Sequence, residues 1–481
     1  MSWTLGQVGA HNSTSSCWVI INNHVYDVTE FLPDHPGGQR VILQYAGRDA
    51  TAAFDPIHPP DALEKNLPAD KHLGLLSAEA VRALQDAKNA GTKSADAERV
   101  ERAQVQKPPL SRILNLRDME NVARQVLSYK ALAYYSSAAD DEITYSENEA
   151  AFSRFFFLPR VLRAVSKCDP STNILGYNSS IPVFVSGAAL ARLGHPLGEI
   201  NITRGAYSTG IIQMVSSNAS FSSGQISEAR LSPDQTLFFQ FYKRRENRLA
   251  EARIKEIENQ GYKAIFLTVD AVVAGNRERD LRAIYELEDM DKEGSPTAAD
   301  TLDTANATEE KVIKTSVQGG GTAGALLQHD DLDMTWAETI PWLRKITDLP
   351  IVLKGIQCVE DAVLATEAGV DGIMLSNHGE VLYSIRRQRP DVFDKTEVYI
   401  DGGLRRGTDV LKALCLGARA VGLGRPFLYG QSAYGEAGVA KTVDILKREI
   451  IAGMRLLGVT NVKQLVPEMV QRVDWQPRAR L

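Results

Sequence analysis

"PIVLKGIQCVEDAVLATEAGVDGIMLSN" runs from Pro350 to Asn377 and decides the fold. Two apolar runs, PIVLKG (350–355) and GIMLSN (372–377), flank CVEDAVLATEAG, whose apolar residues recur at helical spacing. A strand that is apolar at nearly every position is buried on both faces, and two such strands joined by a helix lie parallel. Both runs finish on polar side chains: Lys354 in the first, and Ser376, Asn377 and His378 in the second.

The same unit repeats outward. Apolar runs occupy 181–187, 210–217, 237–242, 264–270, 350–355, 372–377, 397–403 and 420–426. Segments such as RRENRLAEARIKEIENQG (244–261) and RGTDVLKALCLG (406–417) separate them with helical periodicity and a glycine stop. Eight parallel βα units predict an α/β fold, a closed (β/α)8 TIM barrel, over residues 109–475. An open doubly wound sheet is the alternative. Ser216, Tyr242, Asp270, Lys354, His378, Asp401 and Arg425 sit at the run ends, where such a barrel builds its active site.

Before the barrel, residues 78–108 are alanine-rich and charged and end at Pro108-Pro109, which predicts a partly helical linker. Residues 287–325 are polar with almost no aromatics and predict a long mobile loop. Residues 476–481 form a short tail, and residues 1–77 a compact first unit.

The chain of 481 residues is 44% hydrophobic and 24% charged, the balance of a globular protein with large cores. A net charge of −6, with no basic block, argues against a nucleic-acid partner. Cys17, Cys168, Cys358 and Cys415 are scattered, so no disulfide framework or cysteine metal site is expected and the chain reads as intracellular. No apolar run is long enough for a membrane span, and the N-terminus has neither a secretory nor an arginine-rich mitochondrial pattern. The C-terminal Ala479-Arg480-Leu481 has the small–basic–leucine form of a peroxisomal address, so the expected location is cytoplasmic or peroxisomal.

In the first unit, CWVIINNHVYDVTEF alternates with period two and predicts a strand. DHPGG follows, and His35 stands 23 positions before His58. Gly37 and Gly38 remove side chains beside His35, so something flat can approach. Two histidines without a cysteine or carboxylate cluster suit a bis-histidine iron better than zinc, which takes four ligands. Residues 4–77 resemble the cytochrome b5 fold, a small α+β domain. That resemblance implies haem b held by His35 and His58 and a role in electron transfer.

In the barrel, DGGLRRGTD (401–409) and GLGRP (422–426) follow the seventh and eighth strands. Their glycines, with Arg405 and Arg425 near a helix start, make an anion cradle where barrels often hold phosphate. Lys354 in a dry barrel mouth calls for an anionic partner, and Asp270 is placed to orient and charge-stabilise His378. Tyr242, Tyr134 and Arg277 can bind a carboxylate.

From about 110 to 470 the chain resembles the FMN-dependent 2-hydroxy-acid dehydrogenases and oxidases. Joined to its first unit, it resembles the haem-and-flavin lactate dehydrogenases of that family. The resemblance implies FMN held by Ser216, Gln240, Thr268, Lys354, Asp401, Gly403, Arg405, Gly424 and Arg425. It implies His378 as base paired with Asp270, Tyr134 and Tyr242 on the substrate with Arg277 assisting, and Lys354 on the reduced flavin. It further implies a small 2-hydroxy-acid substrate, an acceptor such as cytochrome c, and a homotetramer. One departure stands out. The family continues its histidine motif as Asn-His-Gly-Gly-Arg-Gln-Leu-Asp, whereas this chain reads Asn377-His378-Gly379-Glu380-Val381-Leu382. The arginine expected three residues after the histidine is absent, and the loop lacks roughly a dozen residues where βα loops carry function. Arginine there would be the bidentate clamp on the substrate carboxylate, so the chain is expected to oxidise such acids poorly.

Overall fold

The computed structural model describes residues 2–90, 93–293, 321–327, 330–376 and 379–473. Asn377, His378, His329 and Ala479-Arg480-Leu481 lie outside the described residues.

Each of the eight apolar runs is a strand of one closed parallel barrel. In chain order these are β1 (Val183–Val185), β2 (Gln213–Ser216), β3 (Leu237–Phe241) and β4 (Ile265–Thr268), then β5 (Ile351–Ile356), β6 (Gly372–Ser376), β7 (Glu397–Asp401) and β8 (Ala420–Leu423). Closure comes from β8 pairing with β1, Val421 opposite Val183 and Leu423 opposite Val185. The inside is filled by Phe184, Met214, Phe238, Phe266, Val352, Met374 and Tyr399. Phe238 stacks on Phe266 at 5.5 Å and Phe184 meets Tyr399 edge-on at 5.8 Å, so the lower barrel is solid core and not a pore. The opposite side chains of the same strands pack under the helices. In Asn247–Asn259, for example, the buried stripe is Ala250, Ile254 and Ile257, one face at helical spacing. Burial on both faces is why these strands read as continuous apolar runs.

The first unit is a five-stranded sheet, mixed in direction, in the order Ser2–Trp3, His72–Leu76, His24–Asp27, Ser16–Ile21, Asn12–Ser13. Alternation along Ser16–Ile21 sends Cys17, Val19 and Ile21 to one core and Ile20 to another. Short helices Gln39–Leu43, Thr51–Phe54 and Ala62–Asn66 carry the segments around His35 and His58.

The stretch read as linker, 78–108, is largely two helices. In Ala78–Ala90, Ala80 is buried and Val81 and Leu84 pack on the first unit's second core. Helix Ala95–Gln106 belongs with the barrel unit. Asp96 accepts from the Tyr129 backbone N–H at 2.9 Å, and Arg99 donates to the Gln125 and Leu127 carbonyls at 2.7 Å. Small alanines and long charged side chains form these faces, so no bulky apolar stripe announces them. Residues 287–293, read as the start of a loop, are the last turns of helix Glu278–Glu293. Helix Gly321–Leu327 occupies the end of that stretch, and 294–320 lie outside the described residues. Asp280, buried in the first of these helices, accepts from the Thr322 backbone N–H at 2.9 Å and ties the second to it. Among the described residues no helix is long and apolar enough to cross a membrane.

Candidate active site

The carboxyl ends of β1, β5, β6 and β7 bring one partly buried cation among acids and hydroxyls. Lys354 Nζ donates to Ser376 Oγ at 3.1 Å and lies 3.6 Å from Asp401 Oδ2. Ser186, just past β1, donates its hydroxyl to the same Asp401 oxygen at 3.2 Å. Burial works against the Lys354 charge, but the Asp401 and Asp270 carboxylates more than offset it and hold the ammonium above the ordinary lysine range. Asp270 opens toward the barrel mouth, yet the surrounding walls desolvate its carboxyl and raise its pKa. Lys354 opposes that rise. Gly355 permits this closeness: its φ is +116°, and a Cβ there would lie 2.5 Å from the Asp270 Cβ.

On the opposite wall, Ser216 Oγ donates to Gln240 Oε1 at 3.0 Å, and Gln240 Nε2 donates to Thr268 Oγ1 at 2.8 Å. The three side chains are buried and form one amide-centred edge from β2 to β4. A planar ring with alternating donors and acceptors suits such an edge.

Tyr134 and Arg277 form the roof. Helix Tyr129–Ser136 carries Tyr134, and Arg277 lies at 5.1 Å over its ring. Arg277 Nη2 donates to the Tyr134 and Ser137 carbonyls at 2.5 and 2.8 Å. Arg425 donates to the Tyr135 carbonyl at 2.8 Å and shares Ser137 at 3.2 Å. Two guanidinium groups therefore converge on the carboxyl end of one helix, the favourable end for cations. Burial raises the Tyr134 and Tyr242 pKa values, so both phenols stay protonated donors at neutral pH. Ser137 Oγ and Arg277 Nε are buried and have no hydrogen-bond partner among the described residues. Orphaned donors of this kind fit a bound polar ligand.

For the phosphate, Gly424 caps the helix that starts at Arg425, and a Cβ at Gly424 would meet nothing within 4 Å. That open side, at a helix N-terminus beside Arg425, fits a phosphate. Gly403 (φ +76°) approaches the Asn148 carbonyl so closely that a Cβ would lie 1.9 Å from it. Arg405 is already paired, with Glu120 and, at 3.6 Å, with Glu149. A phosphate there would share Arg405 with two carboxylates, so Arg425 and the helix start are the freer cradle.

At β6 the chain departs from the expected site. β6 ends at Ser376 and helix Gly379–Gln388 begins after two residues. Val381, where the arginine was expected, packs against the barrel's hydrophobic core. Arg386 is committed elsewhere, donating to the Leu416 carbonyl at 2.9 Å with its guanidinium 3.7 Å from the Phe393 ring. Arg387 lies 5.7 Å over Tyr383.

In the first unit, the rings of His35 and His58 face each other with centroids 6.0 Å apart. Each Nδ1 is taken by a backbone carbonyl, Gly38 at 3.1 Å and Phe54 at 3.2 Å, which leaves Nε2 as the available ligand atom. Two metal–imidazole bonds of about 2.0–2.1 Å plus the ring radii span about 6 Å, so the gap fits one iron. Burial lowers both histidine pKa values, that of His58 to about 4, and favours the neutral rings a metal needs. A Cβ at Gly37 would lie 2.8 Å from His35 Cε1, so a side chain there would displace the ring.

Ser186, Ser137, Gln357 and Tyr145 were not singled out from sequence, and Ser376 was marked only as a strand end. Ser186 and Ser376 follow the strand-end rule that marked their neighbours. Gln357, whose side chain helps lower the Asp270 pKa, and Tyr145, whose ring lies 4.5 Å from the Arg425 guanidinium, stand on loops or helices without such a signal.

Residues 123–472 match the FMN-dependent dehydrogenase family, and residues 4–77 match the cytochrome b5-like heme/steroid binding domain. The chain is 43% identical to the L-lactate dehydrogenase (cytochrome) of Wickerhamomyces anomalus, over 98% of this chain and 80% of that protein. To the Saccharomyces cerevisiae L-lactate dehydrogenase (cytochrome) it is also 43% identical, over 96% and 78%. Human 2-hydroxyacid oxidase 1 is 37% identical over 76% of this chain and 98% of that protein. Among solved structures, a mutant flavocytochrome b2 with pyruvate bound superposes with a TM-score of 0.69 at 40% identity, covering 81% of this chain and 95% of that one. The chain belongs to the FMN-dependent dehydrogenase family and carries a cytochrome b5-like haem domain in front of its flavin barrel.

Proposed function

We propose that this chain takes a small L-2-hydroxy acid of the lactate type to its 2-oxo acid and sends the electrons through the N-terminal domain to an acceptor such as cytochrome c. Bound FMN supplies a two-electron acceptor that can release electrons singly, and haem b supplies a one-electron carrier. Ser216, Gln240, Thr268, Lys354, Asp401, Gly403, Arg405, Gly424 and Arg425 would hold the first; His35 and His58 would hold the second. The observation that carries this reading is Lys354, partly buried and kept charged between Asp401 and Asp270. A fixed ammonium in a low-dielectric site stabilises negative charge that develops beside it.

Tyr134, Tyr242 and Arg277 would seat the substrate carboxylate, with both phenols donating. His378 would take a proton from the substrate, and Asp270 would stabilise the resulting imidazolium. Barrel units of four chains would form a homotetramer, which sedimentation of the loaded protein measures. Ala479-Arg480-Leu481 would address the chain to peroxisomes, which removing the tripeptide in cells tests.

One observation favours a second reading, a haem and flavin electron carrier with little dehydrogenase activity. Only two positions, Asn377 and His378, separate β6 from helix Gly379–Gln388, and neither is an arginine. An anaerobic absorption spectrum before and after L-lactate separates the two. Flavin bleaching with the bands of reduced haem supports the dehydrogenase; both cofactors bound and unchanged supports the carrier.

A further inference from the structure

One serine joins the haem-ligand segment to the flavin barrel. Ser220 is fully buried in the loop that leaves β2, four residues beyond Ser216. Its hydroxyl donates to the Pro56 carbonyl at 2.9 Å and accepts from the Arg192 backbone N–H at 3.3 Å. Pro56 stands two residues before His58, and Ile57 between them packs against the barrel's hydrophobic core. A single hydroxyl thus ties together the loop after β1, the loop after β2 and the segment that presents a haem ligand.

That joint has its own foundation. Glu199, buried in helix Gly198–Thr209, accepts from the Ser220 backbone N–H at 2.9 Å and from the Ala191 N–H at 3.0 Å. Both loops therefore hang from one Glu199 oxygen, while its other oxygen is buried without a partner. Burying a carboxyl this way is costly, and the raised Glu199 pKa reflects that burial. The proposed barrel chemistry makes no use of Glu199. Another link between the units, Lys65 to Glu256 at 3.9 Å, joins solvent-accessible side chains that fix little.

We propose that Ser220, held by Glu199, is a positioning residue for electron transfer: it pins the Pro56–His58 segment to the β2 loop and so sets the approach of the haem site to the flavin site. This rests on the reading that both sites are loaded. One electron at a time would leave the flavin site, which is oxidised, and reach the haem iron, which is reduced. No other reactant is needed. Tunnelling rates depend steeply on distance, so a joint that favours the close arrangement acts on this step and not on substrate oxidation.

The test uses full-length protein loaded with FMN and haem, without substrate. A light pulse with a sacrificial photoreductant reduces the flavin, and haem absorbance reports the arrival of electrons. In Ser220→Ala the haem should be reduced about five-fold more slowly, the population change that one hydrogen bond sustains. Ser220→Thr, which keeps the hydroxyl, should recover most of the rate. FMN content and the haem midpoint potential should match the parent in both. A parent-like rate in Ser220→Ala overturns the proposal. So does loss of FMN from that variant, which would mean that Ser220 only supports the β2 loop. A parent in which the haem is never reduced after the pulse overturns the electron-transfer reading itself, and this proposal with it.

Discussion

His35 and His58, the proposed haem ligands, each have one ring nitrogen fixed by a backbone carbonyl, and their ring centroids stand 6.0 Å apart. The proposed cofactor side of the barrel is equally ordered, with Lys354, Asp401, Ser376 and Ser186 hydrogen-bonded or ion-paired around one partly buried charge. The substrate side is not. There Tyr134, Tyr242 and Arg277 are in place, but β6 passes into a helix at Gly379 and Val381 turns into the core. Most of the residues proposed for the flavin site stand at strand ends that also build the fold, so they persist while the barrel closes. The carboxylate clamp sits on a loop that the barrel does not need, and the loop can be lost without cost to packing.

This contrast can be broken or sharpened experimentally. The largest effect belongs to the haem ligands. His58→Ala should abolish haem absorbance while FMN content stays at the parent level, because the two sites share no ligand. Loss of both cofactors would show that the units are not separately built. Next is the missing clamp. Inserting the family's longer loop after His378, arginine included, should raise kcat/KM for L-lactate by roughly 30- to several-thousand-fold, the ~2–5 kcal/mol a buried carboxylate gains from such a pair. An unchanged value would mean that Arg277 and the two tyrosines suffice.

Lys354→Met should destabilise the barrel by ~3–5 kcal/mol in chemical denaturation, since it removes the cationic partner of the Asp401 carboxylate and leaves it only the Ser186 hydroxyl. A smaller loss would show that the mouth stays well hydrated. The smallest effect concerns Asp330, which lies opposite Arg244 just beyond Tyr242 and has a buried oxygen without a partner. Burial pushes its carboxyl up to about 7, with Arg244 opposing. A folded-state pKa above the unfolded one means that stability is fully present below about pH 4 and falls as the pH rises to about 7. Asp330→Asn should therefore change nothing at pH 4 and stabilise the chain by about 1 kcal/mol at pH 8, a figure kept small because water reaches part of the group. Equal unfolding midpoints at pH 8 would contradict that burial.

Much of this was legible before the structure. All eight strands declared themselves because burial on both faces leaves no polar alternation, and their ends marked Ser216, Asp270, Lys354 and Asp401 in advance. Helices Ala78–Ala90 and Ala95–Gln106 hid within a linker-like composition because alanine and the stems of long charged side chains make their contacts. The pairing of Arg405 with Glu120 spans 285 residues, a distance over which no local pattern carries information. The joint at Ser220 has the same character: its three partners are joined only by the fold.

The central claim is that the cofactor half of the site is whole and the substrate half is not. Anaerobic stopped-flow of the loaded protein across a range of L-lactate concentrations, with FMN and haem counted beforehand, tests it most directly. About one FMN and one haem per chain are expected, together with slow flavin reduction that rises linearly with lactate and does not saturate. Fast, saturating reduction by the chain as it stands would contradict it.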